Sequence, residues 1–181
     1  MTCIVGLLDN KTGKVHIGGD SCGIDGLDVV VRKDKKVFRN GEFVFGFASS
    51  FRMGQILQYE FDPPEVNYDD LMVYMVKTFI PYLRYVFKEG AYTSIESSKE
   101  HGGSFLVGGR GRLFNIQRDF QVGENLCGYM AIGCGEAYAL GSLHATDLDK
   151  NLDPEWRLEQ ALQAASTFSG GVCAPFNFVR T

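Results

Sequence analysis

Three residues near the start of the chain have types that suit hydrolysis. Thr2 follows Met1, and removal of Met1 would leave Thr2 with a hydroxyl and a free α-amine on one Cα. The hydroxyl is a nucleophile, and an α-amine with an ordinary pKa of about 7.7–8.0 is a base close to working pH. Asp20 closes the stretch Lys14-Val15-His16-Ile17-Gly18-Gly19, and Lys36 immediately precedes Val37-Phe38. A carboxylate and an ammonium from these two positions would supply the charges around Thr2. No histidine is placed by a motif to act as the base. A retained Met1 would convert the amine to an amide and abolish that function. Taken singly, each residue also has an ordinary reading: an edge-strand threonine, a turn aspartate and a solvated loop lysine.

Other chemistries find less support. The five cysteines (Cys3, Cys22, Cys127, Cys134 and Cys173) are odd in number and lack C-x-x-C spacing. They are expected to be reduced packing residues of a cytoplasmic protein, neither a disulfide framework nor a zinc site. His16, His101 and His144 have no metal-ligand spacing. No metal and no cofactor is expected. A net charge of −4 without a long basic run argues against nucleic acid as a partner. No apolar stretch approaches the length of a membrane span. The N-terminus does not read as a signal peptide, since it lacks a basic region and turns polar at Asp9.

The elements that must position these residues follow from pattern and turn chemistry. The 181 residues, 45% hydrophobic, suit one domain over 1–181. Residues 2–8 and 14–19 read as a hairpin across Asn10-Lys11-Thr12-Gly13. Residues 21–27 read as a loop, and 28–32 as a short strand. Asn40-Gly41 signals a second hairpin into residues 42–48, with Phe43, Phe45 and Phe47 on one face. Ser49-Ser50 caps a helix from Phe51. Asn67 or Asp69 caps a longer helix to about Lys88, kinked or broken at Pro81. Residues 90–103 read as a surface loop. Strands follow at 104–109, 112–117, 120–122 and 129–132, then a helix from Glu136 to about Ala145. Asp153-Pro154 starts the last helix, to about Phe168, and 172–179 reads as a final strand. The order of strands, two helices, strands, two helices, strand gives an α+β fold of two packed sheets flanked by helix pairs.

These blocks, in order, resemble the proteasome-type N-terminal-nucleophile hydrolases, a family that includes the peptidase HslV and the proteasome β subunits. The resemblance rests on Thr2, Gly19-Asp20, Lys36-Val37, Gly46-Phe47-Ala48 with Ser49-Ser50, Ala131-Ile132-Gly133-Cys134-Gly135 with Tyr138-Ala139-Leu140, and Phe168-Ser169-Gly170-Gly171. Together they span nearly the whole chain. The family implies a four-layer αββα sandwich of mainly antiparallel sheets. It also implies roles: Thr2 as nucleophile, Lys36 as the charge that lowers the pKa of its hydroxyl and amine, and Asp20 as the group that holds Lys36. The Ser49 backbone N–H would receive the oxyanion, and Ser169 would lie near the Thr2 amine. Phe47 would correspond to the base of the first specificity pocket, where its bulk implies a shallow site.

The chain departs from the family at several of these positions. Ser49-Ser50 stands where the family usually has two glycines, Cys134 where it has a serine, and Ser166 where proteasome subunits often have an acid. The resemblance implies a threonine-type endopeptidase that cleaves peptides or unfolded protein inside a homo-oligomeric ring. A separate ATP-dependent unfoldase would serve it, since this chain has no G-x-x-x-x-G-K-[ST] loop. Two alternatives use the same fold. A non-catalytic ring subunit would be expected to have lost one of Thr2, Asp20 or Lys36, and all three are present. A small-molecule amidase would use the same chemistry in a deep closed pocket.

Overall fold

The computed structural model describes residues 1–96 and 99–181. Strands β1 (Cys3–Asp9) and β2 (Lys14–Gly19) form the expected hairpin, with Ile4 opposite Gly19 and Asp9 opposite Lys14. With β12 (Tyr129–Gly133) and β13 (Asn177–Arg180) they make an antiparallel sheet in the order β12-β1-β2-β13. The second antiparallel sheet has the order β11-β10-β9-β6-β5. It contains β5 (Val37–Asn40), β6 (Phe43–Phe47), β9 (Phe105–Gly109), β10 (Arg112–Ile116) and β11 (Val122–Gly123). Gly41 takes φ 59° in the β5–β6 turn, as the Asn-Gly pair predicts.

Apolar side chains fill three separate layers. Ile4, Val15, Ile17, Val37, Val44, Leu106 and Ile132 pack between the sheets. Gly46 lets them close together, because a Cβ there would lie 2.5 Å from Ile4 and 2.7 Å from Ile17. On the outer face of the first sheet, Cys3, Val5 and Leu7 meet helices α4 (Glu136–Thr146) and α5 (Pro154–Phe168). On the outer face of the second, Phe43, Phe45 and Phe47 meet α1 (Phe51–Tyr59), α2 (Leu71–Tyr74), a π-helical turn (Met75–Phe79) and α3 (Ile80–Glu89). The α+β arrangement, with helices outside two stacked antiparallel sheets, is the expected one.

Ser50 caps α1 by accepting from the Arg52 amide, and Asp153 caps α5 by accepting from the Trp156 amide. Five expectations need correction. The cap of the second helical run is Asp70, whose side chain accepts from the Met72 amide, not Asn67 or Asp69. Of the two outcomes expected at Pro81, a break is overturned, since the helical run continues through it. The π turn before it sends the Ile80 amide to the Met75 carbonyl, a spacing that absorbs the proline's missing N–H and ring volume. Residues 21–27 are not a plain loop: β3 (Cys22–Asp25) pairs with β4 (Asp28–Val31) across Gly26 at φ 58°. Likewise β7 (Ser94–Glu96) pairs with β8 (Lys99–His101) inside the polar segment expected to be irregular, of which 97–98 lie outside the described residues. Beyond the valine strand at 28–32, these short segments lack sustained apolar alternation, so pattern reading passes over their pairing. The last strand is also shorter than expected, beginning at Asn177.

Candidate active site

Three strand ends converge on Thr2. It immediately precedes the central strand β1, in which Cys3 pairs with Gly133 of β12 and Ile4 with Gly19 of β2. The ladder continues one step further, with the Asp20 amide donating to the Cys3 carbonyl at 3.3 Å. Asp20 therefore leaves β2 beside Thr2. Lys36 comes from the other sheet, just before β5, where its carbonyl accepts from the Phe47 amide at 3.0 Å. On the remaining side, Gly133 has φ 98°, and a Cβ on it would sit 2.2 Å from the Thr2 carbonyl oxygen. Only glycine fits this left-handed, close-approach position.

The three charged and polar groups meet in a site closed to water. Thr2, Asp20 and Lys36 are 4%, 0% and 1% exposed. The Lys36 ammonium donates to Thr2 Oγ1 at 2.6 Å, to Asp20 Oδ1 at 2.9 Å and to Asp20 Oδ2 at 3.1 Å. Asp20 is also held by the backbone: Oδ1 accepts from the Cys3 amide at 2.9 Å and Oδ2 from the Cys22 amide at 2.8 Å. Burial pushes the Lys36 pKa down from its ordinary value, against the charge and hydrogen bonds of Asp20, which push it up. The net direction is down, so the proton is held less tightly than on a surface lysine. The neighbouring Cys3 thiol is pushed up to about 12, mainly by burial and then by Asp20. It stays protonated at neutral pH and offers no thiolate.

The N-terminal side of Thr2 is occupied by Met1, whose carbonyl accepts a hydrogen bond from the Thr2 hydroxyl at 2.5 Å. The Thr2 amide donates to Cys134 Sγ at 3.3 Å, and the Cys134 thiol donates back to the Thr2 carbonyl at 3.4 Å. Ser169 Oγ donates to the same sulfur at 3.4 Å. Of the residues expected at the site, Thr2, Asp20 and Lys36 are thus brought together, and Ser169 reaches Thr2 through Cys134. Ser49, expected there for its backbone N–H, turns its hydroxyl away to accept from the Ser104 amide at 2.7 Å. Its amide hydrogen meets no protein acceptor among the described residues.

Two features were not expected. Phe51, at the start of α1, lies 3.9 Å under the Arg32 guanidinium and 5.6 Å from the Lys36 nitrogen. Beside it, Arg32, Asp34, Phe47, Gln58 and Tyr59 help to line a cavity of about 200 Å³. Phe47 forms part of this wall, its ring packed edge-on to Phe51 at 5.7 Å. Secondly, Cys22 and Cys173 form a disulfide across 151 residues, which corrects the expectation that the cysteines are all reduced. Antiparallel pairing of β13 with β2 sets Asn177 opposite Gly19 and brings the two Cα atoms to 5.1 Å, within disulfide reach. Sequence spacing carries no signal of that contact. Cys3, Cys127 and Cys134 are free.

Comparison with solved structures bears out the proteasome-type fold expected from the sequence. The chain is similar to Thiobacillus denitrificans BPH, with 22% identity, a TM-score of 0.81, and 99% of this chain and 97% of that one covered. A second structure of that protein is a complex with epoxomicin, matched at the same identity and TM-score over 99% and 98% of the two chains. The chain is also similar to the eukaryotic HslV of Trypanosoma brucei, with 19% identity, a TM-score of 0.69, and 99% and 98% coverage. No model of a protein family matches the chain, and no curated protein does.

Proposed function

We propose that the chain is a threonine-type endopeptidase of the N-terminal-nucleophile class, formed by a single domain over 1–181 and acting on peptides or unfolded protein. One observation carries this reading: a buried ammonium shared between the Thr2 hydroxyl oxygen and both oxygens of Asp20. Stability does not account for it, because a buried ion pair is commonly no more stabilising than an apolar replacement of its volume. A fixed positive charge 2.6 Å from a hydroxyl oxygen does account for it if that oxygen becomes negative during reaction.

Once Met1 is removed, the Thr2 hydroxyl is released from the Met1 carbonyl and the amide becomes an amine. Thr2 Oγ1 attacks the substrate carbonyl carbon, and its proton passes to the amine. Lys36 stabilises the charge developing on Oγ1. The carbonyl oxygen, now an oxyanion, accepts from the Ser49 backbone N–H. Collapse breaks the C–N bond, with the Thr2 ammonium returning its proton to the leaving amine. The resulting ester is hydrolysed by a water whose proton the same amine takes and returns to Thr2 Oγ1 as the acyl C–O bond breaks. Cys134 and Ser169 hold the amine in place, and Asp20 holds Lys36. The cavity beside Phe51 is the site for a substrate side chain.

The proposal includes a homo-oligomeric ring, a separate ATP-dependent unfoldase and a cytoplasmic location. Exposed apolar residues support assembly: Leu27, Val29, Val30 and Val31 on the β3–β4 hairpin, and the Tyr138–Phe168 ring pair at 5.5 Å. Among the described residues no helix is long and apolar enough to cross a membrane.

Intact mass and N-terminal sequencing, followed by peptidase assay, test the mechanism. The processed chain should begin at Thr2 and hydrolyse peptides, and Thr2→Ala should abolish hydrolysis with fold and assembly intact. A peptide epoxyketone should form a ring closed across the Thr2 hydroxyl and amine. Equal activity from a chain that retains Met1 would refute the mechanism.

A further inference from the structure

The Cys22–Cys173 disulfide lies against the one carboxylate of the candidate site. Among the described residues, Asp20 and the two sulfurs form a compact group, with ligand atoms all within 4.8 Å of one another. The link between them is the backbone. Cys22 supplies the amide that Asp20 Oδ2 accepts, and Oδ2 in turn accepts from Lys36. The intervening residue is tied to the C-terminal segment at several atoms. The Ser21 amide donates to the Cys173 carbonyl at 3.0 Å, Ser21 Oγ donates to the Pro175 carbonyl at 2.6 Å, and Asn177 Nδ2 donates to Ser21 Oγ at 3.0 Å. That same C-terminal segment begins at Ser169, whose hydroxyl reaches Cys134 beside the Thr2 amide. The disulfide therefore joins the Asp20 side of Thr2 to its amine side by a covalent bond.

Building on the endopeptidase reading, we infer that Cys22 and Cys173 are positioning residues whose disulfide keeps Asp20 on Lys36, so that full activity requires the oxidised pair. A disulfide in a cytoplasmic protein is usually transient and redox-sensing, and the placement of this one gives it something to control. Cys22 is buried and Cys173 partly exposed, so exchange enters at the Cys173 sulfur. The pair forms by exchange with a small-molecule disulfide of the glutathione class. Two protein thiols and one small disulfide give the protein disulfide and two small thiols. Reduction by a second dithiol reverses this, the dithiol losing the two electrons and two protons that the cysteines gain.

The experiment uses the processed, assembled protein with and without a phosphine reductant. The phosphine takes up a water oxygen as the disulfide becomes two thiols. A chelator is present throughout, so that metal captured by the freed thiols and Asp20 does not contribute. Thiol alkylation with intact mass reports the redox state, and kcat and KM are measured across pH. Loss of one hydrogen bond to a carboxylate is expected to lower kcat about tenfold while KM stays within about twofold. The alkaline limb of the kcat profile should move to lower pH, since a looser Asp20 supports the Lys36 charge less. The Cys22→Ser/Cys173→Ser double variant should match the reduced protein and ignore the reductant. Full kcat with an unshifted profile in the reduced protein overturns the inference. So does loss of activity that coincides with global unfolding by circular dichroism, which would make the bond merely structural.

A second readout does not depend on the reaction. Amide hydrogen exchange at Cys3 and Cys22, the two backbone donors to Asp20, should speed up on reduction while Ile17 in the middle of β2 stays protected. If the oxidised protein hydrolyses no peptide, the endopeptidase reading fails and this exchange result still decides whether the disulfide holds Asp20. Unchanged exchange at both amides overturns the inference.

Discussion

Replacing Lys36 by methionine separates what the buried ammonium does for stability from what it does for reaction. The substitution keeps most of the side-chain volume and removes three hydrogen bonds, one to Thr2 Oγ1 and two to Asp20. Asp20 stays fully buried, with only the Cys3 and Cys22 amides as partners. Removing one member of a buried pair costs about 3–5 kcal/mol, because the remaining charge is uncompensated. Adding Asp20→Asn removes that charge and keeps the carboxamide shape. The double variant leaves one backbone donor without a good acceptor, a cost of about 1–3 kcal/mol. The double variant should therefore be more stable than Lys36→Met alone, by urea denaturation of the assembled protein. Activity should not follow stability. Both variants lack the charge beside Oγ1, and loss of one such electrostatic partner lowers kcat about 10²–10³-fold. A double variant that regains peptidase activity along with stability would refute the assignment of Lys36 to the reaction. A Lys36→Met protein as stable as the parent would instead refute the cost assigned to an uncompensated Asp20.

Three further outcomes are expected. Cys134→Ser should keep the fold and give equal or higher peptidase activity, because a hydroxyl is the stronger partner for the Thr2 amine; complete loss would move the chemistry from Thr2 to the thiol. Ser49→Ala should leave kcat within about twofold, since a backbone donor is unaffected by the side chain, and should lower the melting temperature slightly through the lost bond to the Ser104 amide. Burial lowers the His16 pKa from 6.5, with Asp9 opposing and Arg180 reinforcing the shift. Between that lowered value and 6.5 the unfolded chain binds more protons, so the contribution is full above 6.5 and is lost as pH falls. The slope is at most about 1.4 kcal/mol per pH unit, and denaturation of His16→Gln across this range should show it removed.

The parts of the fold that were legible are those written in local chemistry. Asn40-Gly41 fixed a hairpin, Ser50 and Asp153 fixed helix starts, and the alternation of Phe43, Phe45 and Phe47 marked the face that meets the helices. The meeting of Thr2, Asp20 and Lys36 was legible for a similar reason: each sits at the end or start of a strand that could be read. What escaped depends on distant contacts or on compensation. The disulfide follows from β13 lying beside β2. The unbroken helix at Pro81 follows from a π turn, and of the β3–β4 hairpin only the valine strand was read, not its pairing with Cys22–Asp25. Ser49 was expected on the basis of its backbone, and the hydroxyl's turn toward Ser104 could not be read from sequence.

The seat of Met1 has a consequence for how preparations of this protein behave. Met1 packs against Gly171, where a Cβ would come within 2.3 Å of its own, and it caps the Thr2 hydroxyl without disturbing Lys36 or Asp20. The charged groups of the candidate site are thus fully assembled while the terminus is still blocked. On the proposed mechanism, maturation is a single bond cleavage on an already finished scaffold and requires no refolding. Batches with identical melting curves and identical sedimentation should then differ in turnover in direct proportion to the fraction of termini that begin at Thr2. Specific activity would be a titration of amino-terminal homogeneity, and heterologous overexpression that outruns methionine removal would yield well-folded protein with a deceptively low rate.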